Sequence, residues 1–333
     1  MTGIPAIQQR RRRSPAAHGL SQNAPLLLGV GLLVLMVAIY LGLYGNQIGR
    51  LPGNFELTST ADNALPLVFA ALGQSLVILT GGIDLSVGGV MDLTNSVSAL
   101  EMHGSTGHML LWAVIIVLIG AGAGLFNGLL IAFGRLQPIL VTLGSLAIFQ
   151  GLALKVLPQP GGQVASGVTS TLANPREPTA FVVIAVGLLL WWLLRRSSLG
   201  IGIYAIGNDR QAARANGVPV TRVVLATYTI SGAFVGFAGL LLAAQTTGGD
   251  PTAGDVFTLI SIAAAVIGGV SLTGGRGSAA GAVVGAFVLT VLVNVLFFGH
   301  VDPLEEPLYE GLFLVVAAAL TALAGLLLRR RLR

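Results

Sequence analysis

The sequence predicts an all-α, polytopic membrane protein of about ten transmembrane helices, some of them short or broken. Three observations predict it. Of 333 residues, 54% are hydrophobic and only 9% are charged, against roughly 25% charged in a soluble domain. The apolar residues gather in long runs of spanning length, with the charges clustered between them. Glycine, at 46 residues, is about twice as frequent as usual and suits helices that pack closely in lipid.

The runs fall in order near 24–44, 62–80, 85–100, 109–133, 138–156, 180–194, 223–244, 256–272, 279–298 and 310–328. The first follows Arg10, Arg11, Arg12 and Arg13. It is too long for a signal-peptide core and reads as a retained anchor helix. The third, "LSVGGVMDLTNSVSAL", is less than a full span. The sixth, "FVVIAVGLLLWWLLRR", is also short, with two Trp and two Arg at an interfacial end. This divides the chain into a basic tail (1–23), a transmembrane domain (24–328) with a polar segment at 203–222, and a second basic tail (329–333).

Ten alternating spans with the N-terminus inside place 15 of the 18 basic residues on one side. Only Arg50, Lys155 and Arg176 fall on the other. The bias predicts cytoplasmic termini and an even span count. Acidic residues cluster on the outer side, in the loops 101–108, 245–255 and 299–309. The outer loop 158–178, rich in Pro, Gly and Ser, is expected to be at least partly ordered.

One stretch breaks the pattern. "LTGGIDLSVGG", residues 79–89, sets Asp84 among Gly81, Gly82, Gly88 and Gly89 between two apolar runs. A charge at membrane depth is costly, and a broken helix is tolerated there only inside protein or beside a wet cavity. Asp84 is expected to cap a helix starting at Leu85, to line a solute path, or both. "ILTGGIDLSVGG" is loosely echoed by "VIGGVSLTGGRG", residues 266–277. A Gly-x-x-x-Gly segment follows each, at 120–128 and 281–294. Such halves suggest an internal duplication with the site at its interface.

The segment "IYAIGNDRQAARANGVPVTRV", residues 203–223, is the most polar on the basic side. Asn208 or Asp209 can cap a helix over "RQAARAN", Gly217 can take the left-handed position after it, and Pro219 stops it. The result is a helix of about two turns with Arg210 and Arg214 on one face. So short a helix does not persist alone, which points to a docking element for a cytoplasmic partner rather than a plain interfacial loop.

Together "LTGGIDLSVGG", "GNDRQAARANGVPV" and "GGVSLTGGRGS" resemble the inner-membrane permease subunits of ribose-type ABC sugar importers, over about residues 25–328. The resemblance implies that the short helix couples the permease to an ATPase subunit. Gly207, Asn208, Ala212, Ala213, Gly217 and Val218 match the family pattern, and Asp209 stands where a Pro is common. Asp209, Arg210 and Arg214 complete the expected coupling surface. The resemblance also implies two ATPase subunits inside, a periplasmic sugar-binding protein outside and a second permease copy, in a bacterial inner membrane. The acidic outer loops are then candidates for docking the binding protein.

The chain has no motif for its own ATP chemistry. A P-loop needs a Lys before Ser or Thr, and the single Lys155 precedes Val156 and Leu157. ATP and Mg are therefore expected on the partner. No His-Glu-x-x-His stretch or nucleophile elbow is present, and there are no cysteines. Glu101, His103 and His108 lie close together but read as a solvated loop. No catalytic, cofactor or metal site is expected, and the clustering of the charge argues against nucleic acid.

The candidate path residues are Gly81, Gly82, Asp84, Ser86, Asn95, Asn127 and Asn294. Asp92, Gln74, Gln137, Thr142 and Gln150 are further polar residues in the spans, where helix–helix hydrogen bonds are the alternative. A path of amides and hydroxyls with few charges suits a neutral, hydroxyl-rich solute such as a monosaccharide. The alternatives are an ATP-independent facilitator or secondary transporter, and the same architecture used for autoinducer-2, a nucleoside or a branched-chain amino acid.

Overall fold

The computed structural model describes the backbone of residues 15–331 and the side chains of residues 26–317 and 319. The cluster Arg10–Arg13 and Arg333 lie outside the described residues. The described residues form thirteen helices. In order these are α1 (Pro15–Ile48), α2 (Asn54–Leu79), α3 (Val87–Glu101), α4 (Thr106–Ala132), α5 (Pro138–Val156), α6 (Ser166–Leu172), α7 (Thr179–Arg196), α8 (Ser198–Asn208), α9 (Arg210–Ala215), α10 (Val220–Thr246), α11 (Phe257–Ile267), α12 (Ala279–Phe298) and α13 (Glu306–Arg331). All ten predicted spans carry a helix. Among the described residues seven helices, namely α1, α2, α4, α5, α7, α10 and α12, are long and apolar enough to cross a membrane.

Two predicted spans are half-helices. α3 has 15 residues and α11 has 11, about 22 and 16 Å. The expected span 256–272 stops at Ile267 because Gly268 follows and Gly269 turns at φ +89°. α2 starts eight residues before its predicted edge. Glu56 in its first turn accepts from the Gly53 amide at 2.7 Å and from the Tyr44 hydroxyl at 2.6 Å, and pairs with Arg50. These contacts tie down the α1–α2 corner.

α2 is the hub. It is 94% buried along its apolar window and packs against α10, α12, α11 and α7. The glycine stripes work as expected. On α4, a Cβ at Gly120 would lie 2.3 Å from the Gly232 carbonyl, and one at Gly124 only 2.0 Å from that of Tyr228. On α12, a Cβ at Gly285 would lie 1.8 Å from the Ala264 carbonyl of α11. Backbone thus meets backbone at both crossings, which larger residues would forbid.

The loop 158–178 is ordered, as expected, and holds α6. Gly161 and Gly249 exchange backbone hydrogen bonds of 2.9 Å, and Gln163 and Ala165 donate to Ala99 and Met102 at the end of α3 at 2.8 and 2.7 Å.

Candidate functional site

α2 ends at Leu79, and Gly81 takes φ +81° to turn the chain. The backbone then runs without helix to Ser86, deep in the bundle. Asp84 is only 4% exposed. Its Oδ1 accepts from the Ser86 amide at 2.8 Å and the Ser86 hydroxyl at 2.6 Å. The expectation of a cap on a helix starting at Leu85 is corrected. α3 starts at Val87, and Asp84, three residues ahead of it, closes a tight turn onto Ser86.

Neighbouring helices supply the rest of what the broken segment needs. Asn127 of α4 donates to Ser86 Oγ at 2.9 Å. Thr142 of α5 accepts from the Leu85 amide at 3.0 Å. Side chains thus satisfy backbone that a helix would have satisfied itself. Over this turn lies Tyr228 of α10, whose hydroxyl would sit 2.7 Å from a Cβ at Gly82. Tyr228 Oη and Asn127 Oδ1 are buried with no hydrogen-bond partner among the described residues.

α3 carries a second polar face. Gly88 donates to Thr258 Oγ1 at 3.1 Å, Asp92 accepts from the Gly254 amide at 2.6 Å, and Asn95 accepts from the Asp250 amide at 2.8 Å. The spacing of four and three residues puts all three on one helical face. The loop 247–256, read from sequence as an outer loop, is therefore laid along α3.

The second glycine loop meets the first. Between α11 and α12, Gly274 and Gly275 take φ +83° and +71°, and Gly275 donates to the Leu79 carbonyl at 2.9 Å. The end of α8 closes on this junction. A Cβ at Gly207 would lie 1.9 Å from Leu79 O and 2.3 Å from Gly275 N. Tyr204, one turn earlier, donates its hydroxyl to the Gly277 carbonyl at 2.7 Å. Burial holds that phenol above its ordinary pKa. The three motifs quoted from the sequence therefore converge at one joint.

α9 projects from this joint. Asp209 caps it, its Oδ1 accepting from Gln211 and Ala212 at 2.8 and 2.9 Å. Asn208 instead finishes α8, donating to the Tyr204 carbonyl at 2.9 Å. Of the two caps the sequence allowed, Asp209 is the one used. Gly217 takes φ +82° as expected, and Val218 donates back to the Ala213 carbonyl at 3.0 Å. Only Ala213 is buried, while Arg210, Gln211, Ala212 and Arg214 are exposed. The helix has six residues, in keeping with the expected two turns or so.

Residues 57–325 match the family described as branched-chain amino acid transport system / permease component. The chain belongs to this permease family. The ribose import permease protein RbsC of Bacillus subtilis is 34% identical over 318 residues, covering 91% of this chain and 93% of that one. RbsC of Escherichia coli K12 is 32% identical over 271 residues, covering 78% and 82%. The autoinducer 2 import system permease protein LsrC of Enterobacter sp. 638 is 35% identical over 257 residues, covering 75% and 74%. No solved structure matches the chain. As a member of the family, the chain is a multi-pass membrane permease subunit of a binding-protein-dependent transport system, and not itself an enzyme.

Within the permease, Gly81, Gly82, Asp84, Ser86 and Asn127 come together. Asn95 lies nine residues further along α3, about 13 Å away on the axis. Asn294 is elsewhere, donating to Thr60 of α2 at 3.2 Å. Thr60 is nineteen residues before Leu79, about 28 Å along the helix. His103 and His108 stack at 5.6 Å, and His108 Nε2 is 4.0 Å from Glu101. Among the described residues no group of three such side chains is arranged to hold a metal.

One buried acid escaped the sequence reading. Asp62 of α2 is 4% exposed, with neither carboxylate oxygen hydrogen-bonded among the described residues. Its backbone carbonyl has lost its helical donor because Pro66, four residues on, has no N–H. The Gln245 side chain of α10 donates to that carbonyl instead. A Pro four residues after an Asp inside an apolar run was the signal available.

Proposed function

We propose that the permease is the membrane half of an ATP-driven importer that moves a monosaccharide across the bacterial inner membrane. ATP and Mg belong to a separate ATPase subunit, which docks on α9. The transporting unit is a homodimer of this chain in lipid, fed by a periplasmic sugar-binding protein. Both termini are cytoplasmic, on the side of Arg195, Arg196, Arg210, Arg214, Arg222 and Arg276. The acidic segments 101–108 and 299–309 are the docking candidates for the binding protein.

The observation that carries this reading is the joint at Gly207. α9 exposes nearly all its surface and is rooted through α8 where the two glycine loops touch. A push on α9 reaches both loops at once, with no flexible linker between. The identity to ribose import permeases and the cluster of the Ser86 hydroxyl and the Asn127 amide beside the single carboxylate of Asp84 support a neutral, hydroxyl-rich solute. A second solute reading, autoinducer-2, is favoured by the similarity to LsrC at comparable identity.

The test is co-purification with the ATPase in mild detergent, then reconstitution. ATP-dependent uptake of D-ribose with its binding protein, and not of autoinducer-2, supports the first reading. The reverse preference selects the second. Solute flux by the chain alone, without ATP, overturns the ATP-driven mechanism.

A further inference from the structure

The loop 247–256 places an ionisable group where a bilayer has no room for one. Asp255 is exposed, and its carboxylate accepts from the side-chain amide of Gln150 on α5. Gln150 lies six residues before the end of α5 at Val156. That is about 9 Å in from one end of a helix about 28 Å long. The pair therefore sits within the thickness that a membrane occupies, which is about 30 Å of hydrocarbon.

Its surroundings are those of a span. Val256 and Leu259 beside it are 63% and 66% exposed, and Leu143 and Ile148 of α5 are 51% and 50% exposed. A carboxylate on such a surface cannot face acyl chains without a large cost. Irregular backbone at that depth requires protein cover or water. On α5, the exposed Gly144 and Gly151 have open space where a Cβ would stand. Behind Asp255, the fully buried Asp92 holds the Gly254 amide with one oxygen, while the other has no hydrogen-bond partner among the described residues.

We infer that Asp255 and Gln150 form a solute-contact point on the wet translocation path, taking hydroxyl groups of a neutral polyhydroxylated solute. The inference rests on the importer reading and names the residues that act within it. A carboxylate accepts from hydroxyls, and an amide both donates and accepts. No Lys or Arg occurs in 138–154 or 247–267, so an anionic solute would find no counter-charge there. The hydrogen bonds of Asp92 and Asn95 to this loop, and of Gly88 to Thr258 at the start of α11, fix the position of the pair.

The chain contains no cysteine, so single cysteines report without background. Asp255→Cys, Gln150→Cys and the lipid-side control Leu118→Cys are each reconstituted with the ATPase in liposomes. They are exposed to a quaternary ammonium methanethiosulfonate reagent. In parallel, Asp255→Ala and Gln150→Ala are assayed for ATP-driven D-ribose uptake. The expected result is labelling at 255 and 150 about tenfold or more faster than at 118. Uptake should fall about tenfold in each Ala variant, the scale of one lost hydrogen bond to a charged group, with ATPase assembly intact. Labelling at 255 and 150 as slow as at 118 overturns the wet site. Fast labelling with full uptake in both Ala variants overturns the solute contact. Fast labelling at 255 and 150, with a wild type that takes up neither D-ribose nor autoinducer-2 with ATP, overturns the importer reading and the contact built on it, and leaves the wet site standing. Either cysteine suffices if the other variant fails to assemble.

Discussion

The amide of Gly275 donates to the carbonyl of Leu79 at 2.9 Å, and Gly207 fills the angle between them with no room for a side chain. Two loops that echo each other in sequence are thereby joined to the helix that precedes α9. Gly207→Ala would drive a methyl into two backbone atoms. We expect a loss of about 1–3 kcal/mol, the scale of overpacking, seen as a lower thermal midpoint of the purified permease. Gly122→Ala, with open space at its Cβ, is the control and should leave the midpoint unchanged or slightly raised.

Asp209 alone supplies the side-chain cap of α9. Asp209→Ala should destabilise that helix by about 0.5–2 kcal/mol, and Asp209→Asn should be nearly neutral. With so few residues and one buried anchor, α9 has little else to hold it. The readout is solute moved per ATP hydrolysed in the reconstituted complex. A ratio unchanged by Asp209→Ala would show that α9 order is not needed for coupling.

Asp84 accepts both of its hydrogen bonds through one oxygen, which an amide oxygen can do as well. Asp84→Asn should therefore preserve the thermal midpoint. Asp84→Ala leaves the Ser86 amide and hydroxyl short of an acceptor in a buried site, at a cost of about 1–3 kcal/mol. If Asn keeps stability but uptake falls sharply, the charge acts in transport and not in the turn.

Gln245 and Pro66 should be coupled. Gln245→Leu orphans the Asp62 carbonyl and should cost about 1–3 kcal/mol. Pro66→Ala restores an N–H to that carbonyl. In the Pro66→Ala background, Gln245→Leu should then cost clearly less. Thermal unfolding of the four proteins closes the cycle, and additive losses would refute the substitution of a side chain for the missing helical bond.

The spans were legible because apolar runs of about twenty residues in lipid have one stable form, the helix. For α5 and α12 the expected bounds match the structure. The half-helices were harder. The run 256–272 looks continuous in composition, but it turns at Gly269, next to where Gly281 and Gly285 of α12 pack against Gly268 and Ala264. The cap of α9 was left between Asn208 and Asp209 because both side chains suit the role, and only the end of α8 decides. Asn294 looked like the other polar span residues, yet its partner Thr60 is set by packing between distant helices. Asp62 was passed over and Asp255 was read in an outer loop because their depth depends on where α2 begins and where the loop 247–256 folds. The short helix before Gly217 was legible since its cap and turn chemistry are local.

Shielding is uneven across the bundle. α2 is almost wholly enclosed, while α4 and α5 are only 22% and 28% buried along their apolar windows. The faces left open to lipid or to a second copy therefore lie on the periphery, away from the enclosed length of α2. A bilayer thicker or thinner than these helices is met first by tilting them. α5 carries Thr142, which holds the Asp84 turn, and Gln150, which holds Asp255. Tilting α5 would move both polar contacts together, so bilayer thickness is expected to bear on uptake, which reconstitution in lipids of different acyl-chain length checks.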